Sequence, residues 1–344
     1  MKGLLTAFLL FALLLPTIAQ DEKEEDCCDM DRPDAHAPLA VHGDHTHKRG
    51  MIMIGVHFGL SQQDHPRSDG HTHGPGSSDV RMSSITFEGM WGVTDHLTLN
   101  MLLPYVTTSS RSIYTLQETV DSRHFGDFQL TSLVKVQNSK TMRTHLNLGV
   151  SFPTGSIDLM EYSALGYTKL PYSMQTGSGS YDAVLGFTWW LQKKKWSMGA
   201  QPMATIRMTD NHNGYRYGNH YVGNVWAAWR VSTQMSISAR FETHVQGPMR
   251  GEDPAIPSEF IIPEGIHVGI GFGINYYFLR GILKGNRFAV EGSAPVYYSQ
   301  ELESQRINWE FKGGWQKMYH LYGDHDMSGM DMQKMDHSKH NMNH

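Results

Sequence analysis

The stretch HVGIGFGINYYF, residues 267–278, sets Val268, Ile270, Phe272, Ile274, Tyr276 and Phe278 at every second position. Successive side chains of an extended chain point to opposite sides, so a period of two describes a strand with one apolar face. The same alternation continues on both sides of this stretch. Downstream it gives Phe288, Val290, Ala294, Val296 and Tyr298, then Ile307, Trp309, Phe311 and Trp315. Upstream it gives Met235, Ile237, Ala239, Phe241 and Val245, and further segments near residues 221–229, 196–206, 181–189, 146–152, 128–136, 97–105 and 85–91. With Met51–Leu60 the segments number twelve. An even count suits a single-chain barrel.

Alternation alone also describes a soluble sandwich, but two features separate them. Aromatics gather near segment ends (Trp91, Tyr105, Trp189, Trp196, Trp229, Tyr298 and Trp315), as rings do at a membrane–water boundary. Connections also alternate in length. Tight links such as Thr94–His96, Asn138–Thr141, Gln192–Lys195 and Ser232–Gln234 follow every second segment, and long polar ones such as Ser61–Arg81, Pro153–Gly179 and Gln246–Ile266 follow the others. The expected fold is therefore all-β: a closed antiparallel transmembrane β-barrel of about twelve strands over residues 48–316. A soluble lipocalin-type barrel would be smaller and would not turn so many aromatics outward.

The opposite faces place Glu88, Arg207, Arg230, Arg240, Glu242, His244, Glu291, Glu310 and Lys312 along the lumen, where carboxylates and cations can pair. No nucleophile with a base beside it can be picked out, so the chain does not read as an enzyme. A net charge of −5 gives no reason to expect a nucleic-acid partner.

The chain ends read differently from the barrel. Residues 1–19 form a charged start, an apolar run and a small-residue site, which is the pattern of a secretory signal peptide. Residues 20–47 read as a disordered acidic and histidine-containing leader, with Cys27 and Cys28 as a soft metal site, an intermolecular link or an incidental pair. Residues 317–344 read as a disordered tail. Short turns face the periplasm in barrels of this layout, and an even strand number puts both termini there. Closure of the first strand on the last then brings two histidine-rich segments together: His42, His45 and His47 before the barrel, and the tail after it.

The tail carries His325, Met327, Met330, Met332, Met335, His337, His340, Met342 and His344. Thioethers favour Cu(I), whereas imidazoles suit Cu(II), Zn(II) or Ni(II), so this mixture fits copper in either oxidation state or another divalent metal. No cofactor is required by the barrel itself. The expected partners are the outer-membrane bilayer, metal ions and periplasmic metal-handling proteins.

The segments GDHTHKRG, HFGDFQLTSLVKV, HLNLGVSFPTGSID, LPYSMQTGSGSYD, DNHNGYRYG and GGWQ resemble a family of bacterial outer-membrane barrels labelled as transporters. That family is distantly similar to the barrels associated with meta-pathway phenol degradation. The resemblance spans about residues 36–316 and implies an outer-membrane location. Its members often accompany metal-resistance systems and have a methionine-rich first strand, where this chain has only Met51 and Met53, followed by His57. The expectation is therefore an outer-membrane barrel for copper or related metal handling, by transport or buffering. The alternatives are a channel for small hydrophobic or aromatic organic solutes, and a non-transporting adhesin or scaffold.

Overall fold

The computed structural model describes residues 32–65, 78–111, 119–163, 166–299 and 306–321. The alternating segments form strands β1 (Met51–His65), β2 (Ser78–Gly92), β3 (Leu97–Arg111), β4 (Thr119–Phe125), β5 (Phe128–Asn138) and β6 (Met142–Phe152). A short loop hairpin, β7 (Met160–Ser163) and β8 (Gly166–Lys169), follows. The wall continues with β9 (Asp182–Gln192), β10 (Trp196–Arg207), β11 (His220–Arg230), β12 (Met235–Gln246), β13 (Gly265–Tyr277), β14 (Asn286–Tyr298) and β15 (Arg306–His320).

Both β4 and β5 pair with β3, one beyond the other, so they form a single wall strand interrupted at Gly126 and Asp127. Strand β1 pairs antiparallel with β2 on one side and with β15 on the other. The sheet thus closes into a barrel of the twelve wall strands expected from the alternation. Closure leaves no open edge between first and last strands, which a lipid environment requires. Strand β15 passes the expected barrel boundary at residue 316 and runs to His320, which pairs with Met51.

The apolar phase faces outward. Ile237, Phe241, Ile270, Ile274, Phe288 and Val290 are exposed on the wall, and Phe272 is 68 % exposed. In water such a belt would be an aggregation surface, whereas hydrocarbon solvates it. Three of the tight turns share one chemistry. Thr94, Ser139 and Ser232 each accept, through the side-chain hydroxyl, the backbone N–H three residues on, from Leu97, Met142 and Met235.

The leader is not a disordered segment over its described part, which corrects the expectation for residues 32–47. This stretch lies inside the barrel, with Asp34, His36, Ala37, Leu39, Val41, Asp44, His45 and His47 all buried. It has little secondary structure beyond a 3-10 turn at Pro33–Ala35, so lumen side chains satisfy much of its backbone. Ser236 and Ser197 hydroxyls donate to the Pro33 and Asp34 carbonyls at 2.8 and 2.6 Å. Arg287 donates to the Ala37 carbonyl at 2.9 Å, and the Ala40 N–H donates to Glu291 at 2.9 Å. A small apolar seat completes the fit: Ala37 and Val41 pack with Trp190 and Trp226, which face inward.

Candidate functional site

The leader forms a bent strap across the short-turn half of the lumen. It enters where Arg32 donates to the carbonyls of Lys193 and Lys194 in a tight turn. It turns at Gly43, whose φ of +61° suits glycine, and there the carbonyl accepts from Gln201, His145 and Asn147 near mid-strand. It descends past His47, whose N–H donates to Thr98 at 2.8 Å, and joins β1 beside Gly92, whose carbonyl accepts the Gly50 N–H.

Of the charges expected to line the lumen, Glu88, Arg240, Glu242 and Glu291 are buried. Arg240 lies between Glu242 and Glu291, with its Nε 2.6 Å from Glu291 Oε1, and Glu310 meets Lys312 at 2.9 Å. Arg207 pairs with Asp182 and not with a glutamate. Glu88 pairs with histidines and not with a guanidinium. Arg230 is half-buried and sits opposite Ser236 next to the tight turn from Val231.

Among the described residues, imidazoles and carboxylates gather in three groups within this lumen, each with its candidate ligand atoms within 4.8 Å of one another. His36, Asp44 and His45 form one group wholly within the leader; His45 Nδ1 is 2.6 Å from Asp44 Oδ1, and His47 stacks edge-on against His45. His42 of the leader meets His57 of β1 and Glu88 of β2 in the second. Glu242, His244 and His267 form the third, nearer the long loops, within a row of rings from His220 through His244 and His267 to Tyr298. Of the expected metal ligands, His42 and His45 therefore enter different groups, and both are inside the barrel. The remaining expected ligands, His325, Met327, Met330, Met332, Met335, His337, His340, Met342 and His344, lie outside the described residues. So do residues 1–31, with the signal peptide, Cys27 and Cys28.

Sequence reading did not single out Trp190, Trp226, His145, His220 or His267. Each occupies the phase opposite to the apolar belt, which is the available signal. What brings these strands' inward residues to one height is register, and register is not written locally.

The long-loop end carries an apolar cluster. Tyr172, Tyr215 and Ile256 are buried together, with Tyr217, Met249, Phe260, Ile261 and Ile262 packed around them. Burial pushes the Tyr215 hydroxyl up to about 12. Lys169 ties this region together, 2.6 Å from both Asp158 and Asp253. Hydrogen bonds from Lys169 and then Asn213 hold the Asp158 carboxyl well below its usual range. Asp127, at the break between β4 and β5, accepts the N–H groups of Gly155 and Ser178. Gly155 and Gly177 approach so closely that a Cβ on either would meet the other's backbone.

The family described as "Putative MetA-pathway of phenol degradation" matches residues 66–281, more than half of the sequence. The chain belongs to this family. No curated protein matches it. Among solved structures, an outer-membrane channel from Pseudomonas putida F1 is similar at a TM-score of 0.61 and 14 % identity, covering 82 % of this chain and 100 % of that one. The P. putida toluene transporter TodX aligns at a TM-score of 0.41 and 12 % identity, over 78 % and 89 % of the two chains. A Pseudomonas aeruginosa FadL homologue aligns at 0.40 and 9 % identity, over 79 % and 90 %. The chain thus has the fold of an outer-membrane β-barrel.

Proposed function

We propose that the protein is an outer-membrane channel for small, partly apolar organic solutes, phenolic ones among them, with both ends of its chain on the periplasmic side. The carrying observation is the apolar cluster among the long loops, in which partly exposed Met249, Phe260, Ile261 and Ile262 surround the buried Tyr172, Tyr215 and Ile256, set beyond a polar lumen. A mouth of this kind offers the partly exposed side chains of Met249, Phe260, Ile261 and Ile262 as apolar surface to a ring. The family's description, which names phenol degradation, supports the same substrate class. The leader fills the short-turn half, so passage requires it to shift.

A second reading, handling of copper or another transition metal, is favoured by the three imidazole and carboxylate groups in the lumen. One set of proteoliposomes separates the two. Phenol is added outside vesicles containing an encapsulated phenol-oxidising enzyme, and copper is added outside vesicles containing a metal-sensing dye. The channel reading predicts faster phenol oxidation than in empty vesicles and an unchanged dye signal. Phenol entry equal to that of empty vesicles contradicts it, and copper entry alone would favour the second reading.

A further inference from the structure

Two bodies meet at His42, His57 and Glu88: the strap contributes the first residue, and the wall strands β1 and β2 contribute the others. His42 Nδ1 is 3.6 Å from Glu88 Oε1, and His57 Nε2 is 3.0 Å from Glu88 Oε2. The two imidazole rings stand 5.1 Å apart. Ligand atoms around a tetrahedral ion bonded at about 2.1 Å lie roughly 3.4 Å from one another, so this triad is already near a coordinating arrangement.

Its hydrogen bonding is incomplete. His42 Nδ1 is buried and faces the Glu88 carboxylate at a distance too long for a hydrogen bond, and His57 Nδ1 is buried without a hydrogen-bond partner. The Glu88 side chain is 2 % exposed and that of His57 8 %. Leaving such groups unsatisfied is costly, and coordination would engage the free His42 nitrogen. Gln316 donates to Glu88 Oε2 at 3.0 Å and so orients the carboxylate, as groups behind metal ligands do. The His42 side chain remains 30 % exposed, which leaves an ion a way in.

The other two groups lack this bridging character. His36, Asp44 and His45 all belong to the strap, whereas Glu242, His244 and His267 all belong to the wall, with Glu242 engaged by Arg240.

We propose that His42, His57 and Glu88 bind one divalent transition-metal ion of the zinc, cobalt, nickel or copper class, and that this ion clamps the leader to the barrel wall. The ion displaces the proton shared between His57 Nε2 and Glu88, which passes to water, and takes the lone pair of His42 Nδ1. Two imidazoles and one carboxylate suit these metals, and a fourth position stays open. The clamp does not depend on which solute the channel carries.

The test uses the full chain in detergent micelles, stripped of metal and then titrated with Zn(II) or Co(II). The histidine-methionine tail is present in every sample, so its ions cancel in the comparison. The parent is expected to hold one more ion per chain than His57→Asn or Glu88→Gln, and to show tetrahedral Co(II) absorption that both variants lack. His42→Asn, which alters no wall strand, is expected to lose the same ion and the same absorption. Chelation of the parent with EDTA is expected to loosen the strap, read as at least a tenfold faster hydrogen exchange at residues 37–47. The same treatment is expected to leave His42→Asn unchanged. Equal ion counts and Co(II) spectra in the parent and in His42→Asn would overturn the proposal. So would strap exchange in the parent that is indifferent to EDTA.

Discussion

Arg240 shows how single residues hold this lumen together. It is 3 % exposed, and its guanidinium meets Glu242, Glu291 and Asn224 at once. Glu291 in turn accepts the Ala40 N–H, so the wall charge pair and the strap share one carboxylate. Replacing the guanidinium with a neutral side chain leaves two carboxylates in a confined space without their cation. Arg240→Met is therefore expected to lower barrel stability by about 3–5 kcal/mol, read as a lower urea midpoint in detergent micelles. Arg240→Lys is expected to recover only part of this, because one ammonium cannot reproduce the planar fork of donors. A parent-like midpoint for Arg240→Met would show that these contacts contribute little.

Among the elements, the strap and the strands obey different rules. The inward glycine Gly314 of β15 makes room for Leu39, whose Cδ1 would lie 2.7 Å from a Cβ at that position. Gly314→Val leaves the outward face of β15 unchanged but collides with the seated strap. A thiol introduced as Ala40→Cys, with Cys27 and Cys28 replaced by serine, is expected to react with maleimide about tenfold faster in Gly314→Val, as loss of roughly 1.4 kcal/mol of seating would give. Equal rates would mean that Leu39 does not occupy that space. The strands were legible in the sequence because each carries its signal within itself: Val268 to Phe278 declares an apolar face with no knowledge of its neighbours. The strap was not legible. Its own hydrophobes, such as Ala37, Leu39 and Val41, are too few to suggest a core, and the partners of its backbone, Ser197, Gln201, Ser236 and Arg287, come from three distant strands. The metal-ligand histidines were visible as residue types, but their grouping was not. His42 joins His57 and Glu88 only because the strap folds inward.

Over the whole molecule, one closed wall separates an apolar exterior from a lumen filled from one end by the chain's own leader. The wall comes from twelve strands whose first and last members pair. The long loops add an aromatic cluster at the opposite end. Metal clamping, and a solute passage that opens only when the leader shifts, both presuppose that residues 32–47 lie inside the barrel. Hydrogen exchange followed by mass spectrometry on the intact, unaltered protein in micelles reads this directly. The Ala37, Ala40, Val41 and His47 amides all donate hydrogen bonds in the structure. They are predicted to exchange on the slow timescale of the wall strands, and exchange within seconds, at the rate of an unstructured chain, would contradict the account.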